Sequence, residues 1–278
     1  MKNIYQEITE KMIKRIENVS GKWDKGFFSI NEPPRNLDGR FYTGINFVCL
    51  FDPNFESQVY GTFEQVQRHG GTVKKGEKSQ TAVFYKKLRF DNVDQETGEI
   101  ESKNIPLIKY FNVFNIDQTS LKKDQVKSPE LLEAENILAN MPHAPGIIYN
   151  NGVKCASYNK FFDTVTIAKP ENYKKPELFF STLFHELGHS TGHPSRLNRE
   201  LKPVTEDLKG YAKEELIAEL TASFICSRTG KASELSENNS ALYFESWLNA
   251  LREDPKYIFS VCSQAQKAVN YILNEQEN

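Results

Sequence analysis

His185-Glu186-Leu187-Gly188-His189 constrains this chain more tightly than any other segment. Four residues are slightly more than one helical turn, so on a helix both imidazoles leave the same face and can hold one Zn2+. Glu186 lies next round that helix, close enough to hold the metal's water without binding the ion. Leu183, Phe184 and Leu187 supply apolar surface that packs the helix into a core, and Gly188 lets a neighbouring backbone approach. The predicted helix spans 176–191: Pro176 sits in the first turn, where its missing N–H is harmless, and Gly192 and Pro194 stop it. The plain alternative is a surface helix with solvated histidines, but helix, spacing and carboxylate agree on a metal site.

A catalytic zinc needs a third protein ligand and an open position for water. His193 continues the series, but i to i+8 spans roughly 12 Å along a straight helix, too far to share one ion. The next predicted helix, 212–228, carries Glu214, Glu215 and Glu219, and the residues alone leave the choice among them open. Solvated helix-face carboxylates are the plain alternative for all three. Tyr211 falls near this segment and could stabilise an oxyanion, but it reads first as a packing residue. With such parts, zinc brings the pKa of its water toward about 7 and polarises a carbonyl. Glu186 then serves as general base, and the reaction class is peptide hydrolysis. The strand predicted at 164–168 directly precedes the metal helix, and if it forms the sheet edge a peptide substrate could add to it as a further strand.

The rest of the chain is that of a water-soluble protein. It has 278 residues, enough for two domains, with 38% hydrophobic and 26% charged residues. No apolar run is long enough for a membrane span, and the charged N-terminus lacks the apolar stretch of a signal peptide. The expected location is the cytoplasm, with Cys49, Cys155, Cys226 and Cys262 as buried free thiols. The net charge of −2 is unevenly spread: residues 1–128 hold 20 Lys+Arg against 17 Asp+Glu (+3), and residues 129–278 hold 15 against 20 (−5). A polar, Lys-rich stretch at 118–130 reads as a linker. The expected organisation is α+β with two domains, 1–125 and 126–278, the first mixed α/β and the second a small sheet followed by helices. Within the first, Ile4, Ile8, Met12 and Ile16 mark an amphipathic helix, 62–69 a short helix capped by Thr62, and 81–90 and 108–116 strands. Residues 41–51 begin as a turn and run into an apolar segment. In the second domain, helices are expected at 129–139, 239–252 and 255–274, and strands at 146–149 and 154–158.

From Arg68 to Arg89 seven basic residues stand against one acid, Glu77, interleaved with glycines, Phe84 and Tyr85. Arg40 and Tyr42, with Trp23, Phe27 and Phe28 upstream, extend the pattern. A cationic groove with aromatic stacking platforms is the footprint of a single-stranded nucleic-acid site. A solvated Lys-rich turn is the plain alternative.

Together these segments resemble the ArdC family of antirestriction proteins. FYTGIN (41–46), GTFEQVQRHGGTVKKGEKSQTAVFY (61–85) and YFNVFNIDQ (110–118) are similar to its single-stranded-DNA-binding domain. LFHELGHSTGHPSRLNR (183–199), YAKEELIAELTASFIC (211–226) and the Trp247-Leu248 pair are similar to its zincin-like metallopeptidase domain. The resemblance implies DNA contacts from Arg40, Tyr42, Asn46, Arg68, Lys74, Lys75, Lys78 and Lys86, and protection of incoming DNA from host restriction. Among zincins, the metzincin pattern would place a third His at position 195, which is Ser195 here. The other large group uses a Glu on a second helix, with an acidic residue four positions later steadying a histidine. By that similarity Glu215 is the expected ligand and Glu219 its supporting partner. Thr43 and Lys213 depart from the family, where arginine is expected. A DNA-coating protein without catalysis would have no need of Glu186.

Overall fold

The computed structural model describes residues 4–19, 32–52, 54–93, 100–199, 205–231 and 240–276. Trp23, Phe27 and Phe28 lie outside them. In chain order the elements are α1 (Ile4–Val19), β1 (Arg35–Asn36), α2 (Ile45–Leu50), β2 (Val59–Gly61), α3 (Phe63–Arg68), β3 (Gln80–Val93) and β4 (Ile100–Asn115). There follow α4 (Ala134–Asn140), β5 (Gly146–Tyr149), β6 (Ser157–Asn159), β7 (Thr164–Ile167), α5 (Pro176–Ser190), α6 (Leu208–Thr229), α7 (Ser240–Glu253) and α8 (Tyr257–Ile272). No described helix is long and apolar enough to cross a membrane.

They form two units that no single cut in the sequence separates. One holds Pro34–Tyr42 and Val48–Pro129; the other holds α1, Thr43–Phe47 and the chain from Glu130 onward. The division therefore differs from a cut after residue 125. Helix α1 joins the C-terminal unit because its apolar stripe is buried there: Ile8 and Met12 are core residues, and Tyr5 meets Phe259 edge-on. Thr9 also donates to the Pro255 carbonyl at 2.9 Å. The chain passes between units inside α2, where a turn at Gly44 (φ 55°) leads into a helix and not an extended apolar run.

The first unit is a four-stranded sheet in the order β1-β2-β4-β3. The long β3–β4 hairpin pairs from Gln80↔Val113 to Val93↔Ile100. Leu50, Tyr60, Ala82 and Val113 form one core cluster; Leu37, Val59, Val66, Ile116, Leu121 and Val126 form another. Helix α3 starts as its sequence demands: Thr62 accepts from the Gln65 N–H, and the Gln65 side chain accepts from the Thr62 N–H.

The second unit packs a three-stranded sheet, order β5-β7-β6, with the helices. β7 is the central strand, parallel to β5 and antiparallel to β6, so both its edges are paired. This corrects the expectation that 164–168 forms an edge open to a peptide. Helix α4 starts later than expected because the Leu132 N–H is committed to the Arg228 carbonyl (2.8 Å). Helix α6 starts a turn earlier, at Leu208, because Asp207 accepts from the Gly210 N–H (2.8 Å), and it ends on left-handed Gly230. The Trp247 indole fixes the start of α6 by donating to the Ala212 carbonyl (2.6 Å). Three of the four cysteines are at least half-buried and Cys155 is exposed; none is bonded to another.

Helices α5 and α6 nearly touch at Gly188. A Cβ there would lie 3.1 Å from the Ala218 Cα and 3.3 Å from the Thr221 Cβ. Gly188→Ala must push the helices apart and is expected to lower unfolding free energy by about 1–3 kcal/mol in urea titration. An unchanged midpoint would show that the contact is not tight.

Candidate metal centre

Pairs across the α5–α6 contact run in opposite sequence order, so the helices are antiparallel. His185 faces Glu219 and Glu215; His189 faces Glu215 and Glu214. The Nε2 atoms of His185 and His189 converge to 3.1 Å. Each lies 3.6 Å from a different oxygen of Glu215. The ring Nδ1 atoms point the other way, His185 to Glu219 (3.5 Å) and His189 to Glu214 (3.4 Å). A ring that presents Nδ1–H to a carboxylate keeps its Nε2 lone pair for a cation. The three acidic residues of α6 thus divide by angle round the helix. Glu215 points between the rings, and Glu214 and Glu219 flank them.

His185, His189 and Glu215 are the described residues whose ligand atoms cluster, all within 4.8 Å of one another. Glu215 Oε2 is buried without a hydrogen-bond partner. An orphaned carboxylate oxygen beside two converging ring nitrogens fits a divalent cation, which satisfies all three at once. The electrostatics agree. Burial alone would lower the His185 pKa, but Glu219, Glu215 and Glu186 raise it well above the usual value. Burial would raise the Glu215 pKa, but His185, His189 and the Tyr211 hydroxyl hold it at about 2. Glu214 is also held below the usual range: Arg199 and His189 together outweigh its burial. Four carboxylates surround two imidazoles and one guanidinium, a site that attracts positive charge.

Glu186 is buried beside this set and outside it, as a base needs to be. Tyr173 stands near it: burial first, then the Glu186 charge, raise the tyrosine pKa against a hydrogen bond with Thr182. His193 takes no part in the cluster; its Nδ1 accepts from the Ser195 hydroxyl (2.7 Å) and from the Ser195 N–H (3.2 Å). Lys213 leans away to Ser260 (3.3 Å) and over the Tyr257 ring. Sequence reasoning missed Glu214 and Arg199 as partners of each other, and it ranked packing above an oxyanion role for Tyr211.

The segment after α5 is pinned by Arg196, whose side chain is 0% exposed. It donates to the Ser190 carbonyl (2.6 Å), the His143 carbonyl (2.7 Å), the Tyr158 hydroxyl (3.2 Å) and both oxygens of Asp163. Those bonds tie the end of the metal helix to the β6–β7 turn.

The proposed DNA residues are less uniform. Arg40, Arg68, Lys75 and Lys78 are exposed. Lys74 is exposed too, but its ammonium donates to the Asp117 carbonyl (2.8 Å). Tyr42 packs against the Leu50–Tyr60 cluster, and burial pushes its pKa up to about 12. Asn46 belongs to the other unit, and the side chain of Lys86 lies outside the described residues. On the β3–β4 hairpin, Phe84 is 47% and Tyr110 67% exposed, and Lys109 is opposite Phe84.

Residues 2–114 match the N-terminal domain of the anti-restriction factor ArdC, and residues 133–264 match a zincin-like metallopeptidase. Two crystal structures of the antirestriction protein ArdC from plasmid R388 superpose with a TM-score of 0.76 each. The metal-free one is 31% identical, over 99% of this chain and 100% of that one; the Mn(II)-bound one is 29% identical, over 98% of both. A DNA primase TraC of Escherichia coli is 28% identical over 98% of this chain, which spans 27% of that protein's length. The uncharacterized protein y4eC of Sinorhizobium fredii (strain NBRC 101917 / NGR234) is 28% identical over 99% of this chain and 93% of its own.

Elemental analysis of purified protein is expected to find about one divalent metal per chain. His189→Ala and Glu215→Ala should lose it while Glu186→Gln keeps it. Metal retained in both ligand variants would reject this ligand set.

Proposed function

Because the chain belongs to the ArdC family of antirestriction proteins, joining an ArdC-type N-terminal domain to a zincin-like one, we propose that it is a cytoplasmic protein of a mobile element that binds single-stranded DNA and carries a zinc-dependent peptidase-like centre. The work divides between residues 1–125 for DNA and 126–278 for the metal centre, although α1 and Thr43–Phe47 belong to the same compact unit as the latter. The observation that carries the reading is the convergence of both Nε2 atoms on the Glu215 carboxylate, one oxygen of which has no hydrogen-bond partner, with Glu186 buried alongside.

His185, His189 and Glu215 would hold the cation, which when bound supplies Lewis acidity and an acidified water. Glu186 takes the proton of the attacking water and delivers it to the departing amine. Its burial keeps bulk water from competing for that proton. Glu219 and Glu214 keep the imidazoles oriented through their Nδ1 protons. The Tyr173 hydroxyl, near Glu186, can donate to a developing oxyanion. β7 is closed on both sides, so a peptide cannot reach the centre by pairing with that strand.

On the DNA side, Arg40, Arg68, Lys75 and Lys78 offer phosphate contacts, and Tyr110 offers an exposed ring face for unpaired bases, while Phe84 lies on the other face of the hairpin. Lys74 serves first to hold its own turn. Such a surface favours single over double strands, because only unpaired bases can stack on it.

Two measurements test the reading. In a plasmid-transfer assay against a restricting host, Glu186→Gln is expected to lose protection while still binding DNA; full protection would move the function to the DNA domain alone. In fluorescence anisotropy, Lys75→Ala with Lys78→Ala should flatten the salt dependence by roughly 0.7 per lost phosphate contact, and Tyr110→Ala should weaken binding by about 1–3 kcal/mol. Wild-type slopes and affinities in those variants would remove these residues from the site.

A further inference from the structure

Two arginines follow the metal helix, and their surroundings separate their roles. Arg196 is bonded to the sheet and to the end of α5. Arg199 instead faces the metal centre. Its Nε and Nη2 grip the two oxygens of Glu214 at 2.9 and 2.7 Å. The same Nη2 donates to the Gly188 carbonyl (2.9 Å), and Nη1 donates to the Thr191 hydroxyl (2.7 Å). Thr191 in turn donates to that Gly188 carbonyl at 2.6 Å.

We propose that Arg199 is a positioning residue of the metal centre, holding Glu214 against Nδ1 of His189 so that this ring presents Nε2 to the cation. This rests on the metal reading above. A glutamate has three rotatable side-chain bonds, and one contact to an imidazole at 3.4 Å does not fix them. A two-point grip by a planar guanidinium fixes both the position and the plane of the carboxylate. The guanidinium is itself anchored on the residue before His189 and on the second residue after it. Imidazole and carboxylate are therefore set from one rigid group, although they come from different helices. Lysine, a point charge, can neutralise Glu214 but cannot reproduce the fork. The side chains of Arg199 and Glu214 are nearly buried, so solvent does little to weaken the pair.

The test uses the full chain with Arg199→Lys, Glu214→Gln and Arg196→Lys. Zn2+ affinity is measured by competition with a chromogenic chelator, and the ring N–H protons of His185 and His189 are followed by NMR. Arg199→Lys is expected to weaken Zn2+ binding by about 10–100-fold and to move the His189 Nδ1–H resonance while that of His185 stays. Glu214→Gln, which keeps an acceptor for Nδ1–H, should move the same resonance with a smaller loss of affinity. Arg196→Lys is expected to lower stability, yet it should leave both the His189 resonance and the affinity near wild type. Wild-type affinity and an unmoved His189 resonance in both Arg199→Lys and Glu214→Gln would overturn the proposal. So would equal effects from Arg196→Lys, which would mark general loosening of the fold. A wild-type chain that binds no Zn2+ would instead reject the metal reading on which the proposal stands.

Discussion

The contact of α5 with α6 at Gly188 sets the distance scale for everything around the histidines. With a hydrogen where other residues carry a methyl, the Gly188 backbone meets Ala218 and Thr221 directly. Imidazoles one turn apart on α5 can then reach carboxylates less than two turns apart on α6. A larger side chain at this crossing would separate the nitrogens from Glu215 by more than a metal–ligand bond tolerates. Leu187 and Leu220, next to Gly188 and Thr221 in the chain, are both buried. Packing and chemistry therefore share one constraint: the apolar interface must be tight for the polar cluster beside it to converge.

That closeness has an electrostatic consequence. Glu186, Glu214, Glu215 and Glu219 are gathered where water is scarce, and their mutual repulsion has to be answered by positive charge. Arg199 answers for Glu214. Burial would lower the His185 pKa, but Glu219 and Glu215 raise it. A divalent cation answers the same need while matching the lone pairs of both rings. The carboxylates are thus organised in two layers. Glu215 would meet a cation directly, and Glu214 and Glu219 would meet it only through imidazoles.

Much of this could be read in the chain before folding, and the unreadable parts have physical causes. The helix from Pro176, the capping role of Thr62 and the strand at 146–149 follow local rules that tertiary packing did not override. Gly188 signalled a close approach, though not its partner. Spacing by four placed Glu215 and Glu219 on one helix face, but the role of Glu214 depends on which way α6 is rotated, and that is fixed by packing. Arg199 is separated from Glu214 by a loop, so no periodicity links them. The central position of β7 escaped for the same reason: a short strand's sequence does not show how many neighbours it has. Among the basic residues, charge alone could not distinguish Lys74, spent on a carbonyl, from Lys75 and Lys78, which face solvent.

Arg196 and Arg199 show how one short segment serves two ends. Both lie in the loop that closes the metal helix, three residues apart, and both are taken out of water. Arg196 spends its donors on carbonyls, a tyrosine and an aspartate of the sheet, which fixes where the helix ends. Arg199 spends its donors across the α5–α6 crossing, which fixes how the rings beside it are turned. A guanidinium suits each task because five donors in one plane can bind several groups from different elements without adjusting between them. Residues 196–199 are thus held by two groups that cannot be deprotonated.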